Sequence, residues 1–179
     1  MTDEQIMIQV RDGDIAKAAM LFERYNVRLF NFFVRLTYDK ALSEDLTQNV
    51  FERMIRYKHS FNENHAFKSW IFQIARNVRM DYFKKNKIKV AGEVDVQQVG
   101  LMTGNITDKI ENKELLGNLE KAMLHLDKDQ QELLLLTRFQ KLKYAQVAEM
   151  MNTTEGNVKV KVHRAIKDLR SVFLKINAL

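Results

Sequence analysis

The chain has 179 residues, enough for one or two cores, and its 29 Lys/Arg against 23 Asp/Glu leave a net charge of +6 that favours a polyanionic partner. Cysteine is absent, which excludes disulfides and thiolate metal sites and suits a reducing, cytoplasmic compartment. No apolar run approaches the ~18 residues of a membrane span, and MTDEQIMIQV lacks the layout of a signal peptide, so neither membrane insertion nor secretion is expected.

Proline is also absent and glycine occurs six times, so the expected fold class is all-α. A first helix is expected near Glu4–Arg11, ending at Asp12-Gly13. From Asp14 to Leu36, residues Ile15, Ala18, Phe22, Tyr25, Leu29, Phe32, Phe33 and Leu36 recur at helical spacing and predict one inward stripe. A third helix is expected after Ser43, read as its N-cap, with Leu46, Val50 and Met54 at steps of four. A fourth is expected from near Asn64, with Phe67, Trp70, Ile71, Ile74, Val78 and Tyr82 inside. These helices make a first small domain, residues 1–88.

Residues 89–110 lose the helical period and hold glycines 92, 100 and 104. A flexible linker is expected there, because a single strand in VAGEVDVQQV would have no partner. The second small domain is residues 111–179. Ile110, Leu115, Leu116, Leu119 and Met123 suggest its first helix, and Asp127 is placed to cap another that contains Leu133, Leu134 and Leu136.

The segment from Tyr144 to Arg170 reads as a short helix, a tight turn and a longer basic helix. Val147, Ala148 and Met151 face inward on the first. Asn152 tolerates the left-handed conformation of the turn, and Thr154 can cap the second helix. Val158, Val162, Ala165, Ile166, Leu169, Val172, Phe173 and Ile176 form its inner stripe. Asn157, Lys159, Lys161, His163, Arg164 and Lys167 lie opposite, as on a helix that enters a DNA major groove.

Charge is unevenly placed. Residues 68–89 carry seven Lys/Arg and one acid, residues 154–179 carry six and two, and residues 90–112 between them carry one and four. The block AFKSWIFQIARNVRMDYFKK interleaves aromatics with bases and amides. Lys68, Gln73, Arg76, Asn77, Arg79 and Lys84 are available on it for single-stranded nucleic acid, where cations follow phosphates and amides or rings meet unstacked bases. Enzyme chemistry has no such support. The four histidines lack ligand spacing, no phosphate loop or nucleophile turn is present, and Glu44 and Asp45 are adjacent on a helix and so do not face one another. No catalytic residue, metal or cofactor is expected.

Four segments, in order, resemble the extracytoplasmic-function (ECF) sigma factors, a branch of the bacterial sigma-70 family. FERYNVRLFNFFVRL is similar to the opening of the family's region 2, LSEDLTQNVFERMI to its polymerase-binding helix, FKSWIFQIARNVRMDYFKK to the helix that opens the −10 element, and LDKDQQELLLLTRFQKLKYAQVAEMMNTTEGNVKVKVHRAIKDLR to region 4. The resemblance implies that Asp45, Gln48, Asn49 and Glu52 dock on the clamp coiled coil of the largest subunit of core RNA polymerase. It implies that Asn77 lines a pocket for a flipped −10 base, shaped by the loop from His59 to Lys68, with Arg76, Arg79 and Lys84 on phosphates. Asn157, Lys159, Val160, Lys161, His163 and Arg164 would face −35 DNA while region 4 rests on the polymerase β flap. An anti-sigma factor is an expected further partner, and the acidic linker would pass near the RNA path.

Three positions depart from the family's pattern. Leu126-Asp127 stands for the common Leu-Pro, Val160 for a polar residue, and Asn152 for glycine. Valine can meet a thymine methyl but cannot donate a hydrogen bond, so the −35 sequence read here differs in that respect. The alternative reading is a stand-alone helix-turn-helix regulator with residues 1–88 as a sensor or dimerisation domain.

Overall fold

The structure, a computed structural model, describes residues 1–86 and 110–178. The described residues hold helices and no strand, and they belong to two compact units. The expected linker lies outside the described residues except for Ile110.

In the first unit, α1 spans Asp3–Arg11, α2 Ala18–Thr37, α3 Lys40–Arg56 and α4 Phe67–Lys85. Thr2 and Gln5 close a capping box at the start of α1. Asp3 then ties α1 to α2: its carboxylate accepts from the Tyr25 hydroxyl at 2.5 Å and from Arg24 at 2.6 Å. The core is largely aromatic. Phe32 packs edge-on against Phe72 at 5.4 Å, and Tyr25 against Phe67 at 5.1 Å, geometries in which ring edges meet ring faces.

Three sequence expectations are corrected here. Ser43 does not cap α3. The chain leaves α2 through Tyr38 in the left-handed region (φ 57°) and enters α3 at Asp39, whose side chain accepts from Leu42 N–H at 2.9 Å. Ser43 is wholly buried inside α3, where its hydroxyl back-bonds to the Asp39 carbonyl at 2.6 Å. Helix α4 begins at Phe67 rather than near Asn64. Its N-cap, Ala66, has no side chain to cap with, and the Phe67 N–H instead donates to Glu4 Oε1 of α1 at 2.9 Å. Ile15 and Phe22 are exposed, and Leu21 takes the buried place on α2. Trp70 is half-buried and lies edge-on to Phe61 at 5.3 Å.

In the second unit, α5 spans Ile110–Leu124, α6 Lys128–Leu134, α7 Tyr144–Met150 and α8 Glu155–Asn177. Asp127 caps α6 in a capping box with Gln130. Leu135–Phe139 continues α6 as a π-helical turn, and Lys141 follows in the left-handed region (φ 56°). Buried Gln131 donates to the carbonyls of Met123 and Leu126, both at 2.9 Å, satisfying the free end of α5. Asn152 takes the expected left-handed turn (φ 50°), and Thr154 Oγ1 accepts from Asn157 N–H at 3.2 Å to cap α8.

The buried stripe of α8 is shorter than the periodicity predicts. Val158, Val162 and Ala165 are buried, Ile166 is exposed, and Leu169, Val172, Phe173 and Ile176 are half-buried. Leu115 of α5 is exposed as well, and on α7 Met150 is buried where Met151 is only half so.

Burial first, and then the bond to Asp3, raise the Tyr25 hydroxyl above its ordinary value of 10.0. A group raised in the folded state contributes stability that is fully present below its unfolded value and is lost as pH climbs from there through the raised folded value. Tyr25→Phe is expected to cost about 1 kcal/mol at neutral pH. It should also remove the part of the stability loss above about pH 10 that this hydroxyl causes. Thermal melts of both proteins from neutral to alkaline pH check this.

Candidate nucleic-acid interface

Helix α4 turns its apolar residues Phe67, Ile71, Ile74, Ala75 and Val78 inward. The rotation this sets sorts the candidate residues. Asn77 and Lys84 are exposed and seven residues apart, so they share one face with Gln73, whose amide donates to Asn77 Oδ1 at 3.2 Å. Arg76 sits at the edge of that face. Lys68 and Arg79 do not: they are nine and two residues from Asn77, about half a turn round the helix, and both are half-buried. The structure therefore brings Gln73, Asn77 and Lys84 together and places Lys68 and Arg79 on a separate flank. Such a face of amides and a cation can meet unpaired bases and a backbone.

Helix α3 carries Asp45, Gln48, Asn49 and Glu52, of which all but Asn49 are exposed. Asn49 is half-buried and turned to Arg53, whose Nε donates to it at 3.0 Å. Gln48 and Glu52 are bonded to each other at 3.1 Å and form one lip of a groove between α2 and α3. The groove measures about 580 Å³ and is lined by Phe22, Val27, Phe30 and Phe51 together with Glu44 and Thr47, while Asp45 and Asn49 lie outside it. Phe22 stacks at a tilt on Phe51 with ring centroids 4.8 Å apart. Sequence periodicity missed this groove because it assigned Phe22 to the core. The signal present was Phe22 and Val27 lying outside the Leu21–Tyr25–Leu29 line, two large apolar residues with no inward place.

Helix α8 exposes Asn157, Lys159, Val160, Lys161, His163 and Arg164. Lys159, Val160, His163 and Arg164 line one cleft of about 370 Å³, while Asn157 and Lys161 lie outside it. Asn157 bonds back to Thr153 at 3.2 Å. The cleft has two further members that the sequence reading passed over. Arg138, on the π-helical turn, donates to the hydroxyl of Tyr144, on α7, at 3.0 Å. Among the described residues no carboxylate lines this cleft. Cations gathered without an acid repel one another until an anion joins them, and a phosphodiester backbone supplies that anion. Arg138 escaped notice because it lies outside the basic helix, and only the fold carries it to the helix's side.

Comparison with known proteins adds to this geometry. Residues 21–88 match the family described as Sigma-70 region 2, and residues 116–169 match Sigma-70, region 4. The chain is similar to the ECF RNA polymerase sigma factor SigM of Bacillus subtilis (strain 168), with 31% identity over 86% of this chain and 93% of that protein. It is also similar to SigX of the same organism, with 28% identity over 84% of this chain and 80% of that one. Among solved structures, CnrH in complex with the cytosolic domain of CnrY shares the fold (TM-score 0.70, 17% identity, 95% of this chain and 96% of that chain). So does the sigma factor RpoE in complex with the anti-sigma factor NepR from Bartonella quintana (TM-score 0.68, 23% identity, 86% and 94%).

Arg138→Ala is expected to weaken duplex DNA binding equally for all sequences and to reduce the slope of log affinity against log salt by about 1, the mark of one lost phosphate contact. Tyr144→Phe keeps the guanidinium and frees it, so its effect should be smaller. Titrations of several duplexes over a range of salt concentrations check both.

Proposed function

The chain belongs to the ECF sigma factors of the sigma-70 family, and from that premise we propose that it joins core RNA polymerase, recognises the −35 and −10 elements of promoters, and starts transcription. Residues 1–88 are the polymerase-binding and −10 domain, residues 89–110 the linker, and residues 111–179 the −35 domain. The chain contributes binding and no bond-making chemistry of its own, and it works in the cytoplasm. The observation that carries the proposal is the pair of cation-bearing helix faces on separate units, on segments that match region 2 and region 4 in that order.

In this reading α8 enters the −35 major groove. Arg164, Lys159 and His163 face base edges or phosphates, Val160 offers a methyl-sized apolar contact, and Asn157 and Lys161 stand at the margins. In α4, Asn77 contacts a −10 base that has left its stack. Unstacking costs a few kcal/mol, and ring and amide contacts offset it. Lys84 and Arg76 hold the strand, and Lys68 and Arg79, on their own flank, take a different stretch of backbone. Polymerase seats on α3 and its groove with α2: Gln48 and Glu52, with Glu44, give the groove a polar, acidic side, Phe22 and Phe51 line it with apolar rings, and Asp45 and Asn49 meet the partner from α3 outside the groove. The polymerase β flap would support region 4. An anti-sigma factor is a further partner, in line with the complex formed by RpoE.

The match of residues 21–88 to Sigma-70 region 2 favours this reading over a stand-alone regulator, whose first domain would be a sensor or dimerisation unit. The deciding experiment is co-purification with core polymerase, since a regulator would bind duplex DNA fully without it. Asp45→Arg and Phe22→Asp should each lower affinity for core, the latter by about 2 kcal/mol if Phe22 anchors the contact, while circular dichroism stays unchanged. Arg164→Ala should cost about 1–3 kcal/mol and relax choice at one −35 position. Asn77→Ala should leave polymerase binding intact and slow promoter opening in a stopped-flow assay.

A further inference from the structure

Asp81 is the one acid among the seven bases of residues 68–89. It lies one turn along α4 from Asn77 and three residues before Lys84, on the edge of the same open face, and its side chain is half exposed. A carboxylate there sits ~5–6 Å from its neighbours on the face. That is inside the ~8 Å over which salt screens a charge. Unopposed, it would repel the strand that Lys84 attracts.

Arg53 of α3 crosses to it. Its Nη1 donates to Asp81 Oδ2 at 2.7 Å, while its Nε donates to Asn49 Oδ1 at 3.0 Å. Three-quarters of the Arg53 side chain is buried, so the guanidinium is held in place. It stays charged at any working pH. We propose that Arg53 is a positioning residue for nucleic-acid binding: it neutralises Asp81 within the −10 face of α4, and Asn49 aims it there. The inference rests on the reading of α4 as the −10 helix. A pair in which the acid is half exposed contributes little to folding. Its larger effect is on the potential that an approaching phosphate meets.

The test uses holoenzyme assembled from core polymerase and the full chain. A random pool of fluorescent DNA single strands of about 12 nucleotides is passed over it, and a strand retained by wild type becomes the probe for anisotropy titrations. Arg53→Ala should weaken binding about three- to tenfold, with the difference shrinking as salt rises. Arg53→Lys, which keeps the charge, should stay closer to wild type. Asp81→Asn should bind more tightly than wild type, because the Arg53 charge is then free to act on the strand. The double variant, Arg53→Ala with Asp81→Asn, should recover at least wild-type affinity.

A double variant as weak as Arg53→Ala would show that Arg53 acts by supporting the fold, and would overturn the inference. So would an Asp81→Asn protein with unchanged or lower affinity, a measurement that decides the matter even if Arg53→Ala fails to fold or to assemble. A wild-type holoenzyme that retains no strand would overturn the proposed function and this inference together. Retention by wild type without recovery in the double variant would overturn this inference alone.

Discussion

Each helix of this chain can offer a partner only the face it does not bury, so the rotation of a helix about its own axis is the constraint from which the rest follows. Val158, Val162 and Ala165 turn inward on α8, and Lys159, Val160, His163 and Arg164 are thereby turned out. On α4, burying Phe67, Ile71, Ile74 and Val78 brings Asn77 and Lys84 to one open side and sends Lys68 and Arg79 to a flank. On α3, Leu46, Val50 and Met54 hold the helix so that Gln48 and Glu52 edge a groove. The apolar stripe thus performs two tasks: it supplies the burial that stabilises the unit and it aims the polar residues.

Rotation needs a reference, and the first unit obtains it from bonds between helices. Helix α4 has no cap of its own. Its first N–H is satisfied by Glu4, and α1 is in turn held to α2 through Asp3, Tyr25 and Arg24. The short N-terminal helix therefore takes part in setting the rotation of α4, although it bears none of the candidate site residues. Arg53 extends the same logic to the far end of α4, where it links Asn49 to Asp81 in one line of hydrogen bonds from α3.

The second unit positions its charges by chain geometry. Two non-glycine residues, Lys141 and Asn152, adopt left-handed conformations at the corners that lead into and out of α7. These corners, together with the Thr154 cap, bring the Arg138–Tyr144 pair beside the basic face of α8. Residues from three separate elements then share a cleft without a carboxylate. In protein–DNA complexes generally, contacts to phosphate set position and contacts to base edges set sequence choice, and under the proposed function this cleft would serve the first task.

Much was legible in the amino-acid sequence. Helical spacing, the absence of proline, capping residues such as Asp127 and Thr154, and the turn at Asn152 together determine an all-α chain with a helix-turn-helix, because these signals act within a few residues. The outward basic residues of α8 were legible for the same reason. The tertiary structure alone decided that Asp39 and not Ser43 caps α3, that Glu4 takes the first N–H of α4, that Phe22 lines a groove, and that Arg138 joins the cleft beside α8. Each of these depends on which neighbour fills the space beside a residue, and periodicity along one helix carries no record of the helix packed across from it.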